Sequence, residues 1–379
     1  MNITALEAFP LSCAVPEDQQ VSLGIGRTVK RDTVLVKITT DEGLVGWGEA
    51  HAGRAPTVIA ELIHSTLAPT LLGQRADDID ALWARMYRLQ LASHGTGAAA
   101  ALAVSGIDMA LWDLRGKAAG LPLYALLGGE RRALRAYAGG ISFGYGTLGA
   151  LLDEAARARD AGYRALKLRL GLDVDEDLKR VAAVRAALGT AFDLLTDANC
   201  NYSLSQAQTA RVGLDELAVG WLEEPFPAQD FRHWRALAPV GRTPLAAGEN
   251  HYLCADFERM ADDGVIRLWQ PDLSKCGGIS EARRIAALAA PLGVPLHPHT
   301  SVTGLNVAAS LHFLAALPSP GYFEADFSTF NPLRTALCWP VITPDADGCF
   351  TPPTGPGLGV EVDEAALRHY PVIRGAGYR

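Results

Sequence analysis

Three acidic residues stand where apolar segments stop: Asp197 in Leu-Leu-Thr-Asp-Ala-Asn, Glu223 in Trp-Leu-Glu-Glu-Pro and Glu249 in Ala-Ala-Gly-Glu-Asn, separated by two equal steps of 26 residues. If those segments are neighbouring parallel strands, their C-terminal ends share one rim and the carboxylates converge there. Left alone, the three charges repel. A hard divalent cation removes the repulsion, and Mg²⁺ prefers oxygen donors while keeping positions for water or substrate. The plainer alternative, in which each carboxylate caps the next helix or pairs with a nearby Lys or Arg, accounts for one acid but not for three in step. Glu224 competes with Glu223, because adjacent strand residues face opposite sides.

Other residues near these segments carry complementary chemistry. Lys167 and Arg169 flank Leu168 and so face the same side of a strand. Two cations inside a barrel require anions, which the metal-binding acids and a substrate carboxylate would supply. Asp272 follows Gln270-Pro271, and His299 closes Leu296-His297-Pro298-His299. A carboxylate aimed at an imidazole fixes its tautomer and raises its pKa, as a general base near neutral pH needs. His297 shares the face of His299 and is a secondary candidate. Glu324 ends another apolar segment; held protonated among so many acids, it would donate a hydrogen bond to substrate.

The elements that must position these residues recur regularly. Eight strand candidates are visible: 135–139, 165–169, 192–197, 219–224, 244–249, 267–272, 294–299 and 321–324. Most are separated by Ala/Leu-rich stretches with helical spacing. Near-equal βα steps predict a closed parallel barrel. Residues 1–125 read as a separate α+β unit, with a hairpin around Asp41-Glu42-Gly43 and helical patterns from Ala55 to Ala118. The tail, 336–379, is too rich in Pro and Gly for barrel helices and is expected to pack back on the N-terminal unit.

Composition narrows the function. The 379 residues are 49% hydrophobic and 20% charged, which describes a folded globular protein with material for two structural units. The six cysteines form no C-x-x-C pair, so reduced thiols and a cytoplasmic location are expected. A net charge of -8 without a basic block argues against nucleic acid, and no long uncharged apolar run suggests a membrane span.

Taken together, Asp197-Ala-Asn, Trp221-Leu-Glu-Glu-Pro, Gly248-Glu-Asn, Pro271-Asp-Leu-Ser-Lys-Cys-Gly-Gly and Pro298-His resemble the mandelate racemase subgroup of the enolase superfamily. Ser105-Gly-Ile-Asp-Met-Ala-Leu-Trp-Asp-Leu-Arg-Gly-Lys and Pro122-Leu-Tyr-Ala-Leu-Leu-Gly-Gly resemble its linker region. The resemblance implies a modified TIM barrel, (β/α)₇β, over 126–335 under an α+β cap. It also implies Mg²⁺ on Asp197, Glu223 and Glu249, selecting Glu223 over Glu224, and a first step that forms an enediolate from a small-molecule carboxylate. Asp272 and His299 would form one acid/base, Glu324 would bind the substrate carboxylate, and a homo-oligomer is expected. One departure matters. Where many members carry a second lysine as the opposing base, this chain has Arg169, which stays protonated. One competent base favours dehydration of an acid sugar to a 2-keto-3-deoxy acid; the alternatives are a sugar-lactone cycloisomerase, a racemase or epimerase, and a non-catalytic carboxylate-binding protein. Specificity is expected from loops at Val15–Arg31 and Glu49–Arg54, with His51, Arg27, Arg54 and His94 as polar candidates.

Overall fold

The computed structural model describes residues 1–300 and 302–379. The cap begins with a three-stranded antiparallel sheet in the order β1 (Ile3–Ala14), β2 (Lys30–Thr40), β3 (Val45–His51). The β2–β3 pair is the expected hairpin, whereas β1 escaped the sequence reading. Its sequence, ITALEAFPLSCA, carries charge and a proline and lacks a strict apolar alternation. Register with β2, from Ala5↔Thr39 to Ala14↔Lys30, supplies what periodicity did not.

The cap is fixed to the barrel by α1 (Ala98–Ala119), a helix buried along most of its length. Small residues allow it to lie directly on β3: a Cβ on Gly48 would meet the Gly106 carbonyl oxygen at 2.1 Å. Two buried acids then lock the helix in place. Asp108 accepts from the Ser280 amide and hydroxyl at the start of α2 (Gly278–Leu292), at 2.9 and 2.6 Å. Asp113 accepts from the amides of Trp47 and Leu358, at 2.9 and 2.8 Å. Both acids belong to the linker motif, so these carboxylates tie cap, barrel and tail to one helix.

The second sheet is parallel along β4 (Leu134–Gly139), β5 (Ala165–Arg169), β6 (Asp193–Asp197), β7 (Leu222–Glu223), β8 (Leu245–Ala247) and β9 (Leu268–Trp269), with β10 (Phe323–Asp326) against β4. This is the expected α/β barrel, with one correction. The candidate strand 294–299 contributes only a bridge between Leu296 and Trp269. Pro295 and Pro298 have no N–H to donate, so a ladder cannot continue through them. Side chains join this stretch to β10 instead: the Tyr322 amide donates to His297 Nδ1 at 2.9 Å, and Thr300 Oγ1 donates to the Glu324 carbonyl at 2.7 Å.

The tail divides its contacts. Gly357 exchanges backbone bonds with the Leu121–Leu123 turn, the Ser12 amide donates to the Tyr370 carbonyl, and Lys37 pairs with Glu364. Cys349–Phe350, however, pairs with β4 of the barrel, so the segment does not pack on the cap alone. No helix among the described residues is long and apolar enough to cross a membrane.

Candidate active site

Parallel register builds the floor of the site. Arg169 is level with Asp197 on the neighbouring strand, and Asp197 with Glu223 on the next. Glu249 lies in the turn beyond β8, and ligand oxygens of Asp197, Glu223 and Glu249 all fall within 4.8 Å of one another. Beneath them Lys167 is fully buried, with its ammonium 2.8 Å from Glu223 Oε1, 3.0 Å from Glu324 Oε1 and 3.7 Å from Asp197 Oδ2. Arg169 donates to Asp197 and to the Gly140 carbonyl. Neither cation is on the surface. Burial alone would discharge Lys167, but the surrounding carboxylates outweigh it and hold its pKa well above the ordinary lysine value. Arg169 is raised in the same way, by Asp197 foremost among the acids.

On the far side, His299 Nδ1 lies 2.7 Å from Asp272 Oδ2, and His299 Nε2 lies 3.1 Å from Glu249 Oε2. Asp272 is itself oriented by the Ser274 amide and hydroxyl, both at 2.7 Å, and by Asn306 Nδ2 at 2.8 Å from α3 (Gly304–Ala316). Burial disfavours charge on both partners. Hydrogen bonding and charge between them reverse this, depressing Asp272 and raising His299 to about 9, with Glu249 the largest contributor to the rise.

The acids fit a divalent cation by their geometry, because three oxygen donors within 4.8 Å of one another on one rim suit Mg²⁺. Burial, with the neighbouring acids, raises the Glu223 carboxyl against the opposing pull of Lys167. An ion held there would occupy Glu249 and withdraw its support for imidazolium, favouring the neutral His299 that a base requires.

Several sequence expectations change. For Glu324 the direction is opposite to that expected: burial favours the neutral form, but Lys167, then His299 and Arg169, draw its carboxyl below the ordinary value. It accepts from the Gly140 amide at 3.2 Å. His297 points away from the site, packs on Trp221 with ring centroids 5.0 Å apart and is lowered to about 4 by burial. Arg27 and His94 are absent from the cavity wall, whereas His51 and Arg54 line it. Glu224 also lines it and accepts from Asn250 Nδ2 at 2.6 Å, outside the cluster of ligand oxygens. Lys275, whose ammonium is 2.8 Å from Glu249 Oε2, joins the site without a sequence signal of its own. It stands in the quoted Pro271-Asp-Leu-Ser-Lys motif, but a loop position carries no periodicity to show where its side chain goes. Tyr378 likewise carries no such signal.

Above the floor is a cavity of about 510 Å³, walled by both the barrel loops and the cap. A capped parallel barrel with an acidic rim and an oriented histidine defines an enzyme of the enolase superfamily. Residues 9–128 match the family model described as mandelate racemase / muconate lactonizing enzyme, N-terminal domain, and 150–366 match the enolase C-terminal domain-like model. The chain belongs to the mandelate racemase / muconate lactonizing enzyme family. It is 35% identical to D-galactarolactone cycloisomerase of Agrobacterium fabrum, over 98% of this chain and 99% of that one. It is 33% identical to arabinonate dehydratase of Saccharolobus solfataricus, over 89% and 90%. An enolase-superfamily member from Polaromonas sp. JS666 superposes with a TM-score of 0.97 at 50% identity over the full length of both chains. A racemase from Streptomyces coelicolor with bound magnesium superposes at 0.88, with 31% identity over 98% and 100%.

Proposed function

We propose that the enzyme removes the proton alpha to the carboxylate of an acid sugar and eliminates the beta-oxygen, yielding a 2-keto-3-deoxy acid. Asp197, Glu223 and Glu249 would hold Mg²⁺, which when bound supplies positive charge to the substrate carboxylate as the alpha-proton leaves. Asp272 holds His299 in the tautomer that exposes Nε2 to the cavity. His299 Nε2 takes the alpha-proton; the Cβ–O bond breaks; the same proton passes to the departing hydroxyl as water forms, and the resulting enol tautomerises to the ketone. Lys167 and Arg169 remain charged and balance the acids.

The observation that carries this reading is the asymmetry of the two faces. One face offers an oriented imidazole. The other offers Arg169, fixed on Asp197, and Lys167, which is sealed below the floor and absent from the cavity wall. Neither can exchange a proton with substrate in that state, so among the described residues that face offers racemisation no second base. Lactone cycloisomerisation is the second reading, supported by the near full-length similarity to a galactarolactone cycloisomerase. It uses the same proton abstraction, with the ring oxygen as leaving group. Incubating the Mg²⁺-loaded enzyme with mono- and diacid sugars and their lactones in deuterium oxide tests the proposal. A 2-keto-3-deoxy product is expected; interconversion of epimers without elimination would overturn it, and lactone-only turnover would favour the second reading.

A further inference from the structure

The segment 373–379 is woven into the cap loop Val15–Arg31, the lid over the cavity. The Val29 amide donates to the Gly377 carbonyl at 2.9 Å, Arg27 and Arg379 exchange backbone bonds at 2.7 and 2.9 Å, and Lys30 Nζ reaches the Ile373 carbonyl at 2.6 Å. The lid is also anchored to the barrel, because the Tyr145 amide donates to the Ser22 carbonyl at 2.7 Å and Asn201 Nδ2 to the Gly24 carbonyl at 3.2 Å. This pairing carries Tyr378 into the cavity wall, where the Arg54 guanidinium lies 5.1 Å from the centre of its ring. Among the described residues no hydrogen bond takes the Tyr378 hydroxyl, and no carboxylate pairs with Arg54. Arg31, 93% buried on the same wall, bonds Asp326 and Ser328 through its terminal nitrogens and leaves Nε without a partner. The acids on this wall are already paired, Asp326 with Arg31 and Arg334, and Asp32 with Lys30 at 2.9 Å. A free hydroxyl and a guanidinium without a carboxylate partner thus stand side by side on the part of the cavity wall that the cap and the tail supply.

Resting on the acid-sugar reading above, we propose that Tyr378 is a substrate-contacting specificity residue. Its hydroxyl donates to an oxygen of the substrate's second terminal group, with Arg54 giving that group a positive counter-charge, so that the site prefers sugar diacids to monoacids. A site built from donors penalises a ligand that leaves them unmet, and a primary alcohol meets them less well than a carboxylate.

Calorimetric titration of galactarate, glucarate and their monoacid counterparts, galactonate and gluconate, tests this in the Mg²⁺-loaded His299→Asn background, where nothing turns over. At least one diacid should bind about tenfold more tightly than its monoacid. Tyr378→Phe, which keeps the ring under Arg54, should remove most of that preference by weakening the diacid. Arg54→Gln should act in the same direction, and unchanged unfolding midpoints would establish that both variants are folded. Equal binding of diacid and monoacid, absence of diacid binding, or a Tyr378→Phe variant with unaltered affinities would overturn the proposal. Failure of the elimination reading shows separately, as absence of 2-keto-3-deoxy product from His299-intact enzyme.

Discussion

At the rim, Arg169, Asp197 and Glu223 share a row because strand register places them there, whereas above it His51, Arg54 and Tyr378 arrive from segments with no common register. The rim charges are buried and mutually bonded, and moving one disturbs the rest. Arg54 and Tyr378 contact each other through guanidinium and ring. The candidate reacting groups thus sit at strand ends and in the turns just beyond them, whereas the wall above is drawn from segments outside the barrel sheet.

The largest effect that would sharpen this contrast comes from the rim. Glu249→Gln removes both a metal-binding oxygen and the partner of Lys275 and His299, and turnover should fall on the order of 10⁴-fold, with Mg²⁺ affinity lost in calorimetry. Full activity after exhaustive chelation of the wild type would refute a metal-dependent rim. Next, His299→Asn should abolish alpha-proton exchange, a loss on the order of 10³-fold or more, while Asp272→Asn keeps the imidazole and retains a weak rate. Rapid exchange in the His299 variant, followed by NMR in deuterium oxide, would move the base to the opposite face.

A subtler outcome is expected at Arg169. Its fixed charge should make the wild type exchange the alpha-proton of one epimer alone, and Arg169→Lys should add slow exchange with the other, since a lysine can give up its proton where an arginine does not. If the wild type already exchanges both epimers at comparable rates, the two faces are not asymmetric.

The smallest expected effect lies between rim and lid. Asp326 is held down at about 2, because Arg31 and Arg334 outweigh the burial that would raise it. Its folded pKa lies below the ordinary 3.8, so its stabilisation is complete above about pH 4 and is lost as pH falls through about 2. Asp326→Asn should cost roughly 2 kcal/mol at pH 7. In denaturant unfolding the gap from wild type should narrow below pH 4; a gap that stays constant into acid would mean that the charge is not its source.

The convergence of Asp197, Glu223 and Glu249, the Asp272–His299 pair and the barrel itself were legible in the chain, because a parallel βα repeat writes its period and its strand ends into apolar runs and the family resemblance singles out Glu223 from Glu224. Asp197, Glu223 and Glu249 could be picked out without knowing one interatomic distance. Reading failed where local rules do not reach. Two prolines in 294–299 reduced a strand to a bridge, and β1 showed no periodicity to find. The carboxyl of Glu324 is drawn down by side chains brought from 167, 169 and 299. Lys275 and Tyr378 carry no local signal, since a loop side chain is directed by whatever packs around it. Residue type and spacing determined which groups could do chemistry and on which strands; the tertiary structure decided which of them are charged and which segments close over them, because electrostatic coupling and lid pairing act between residues far apart in the chain.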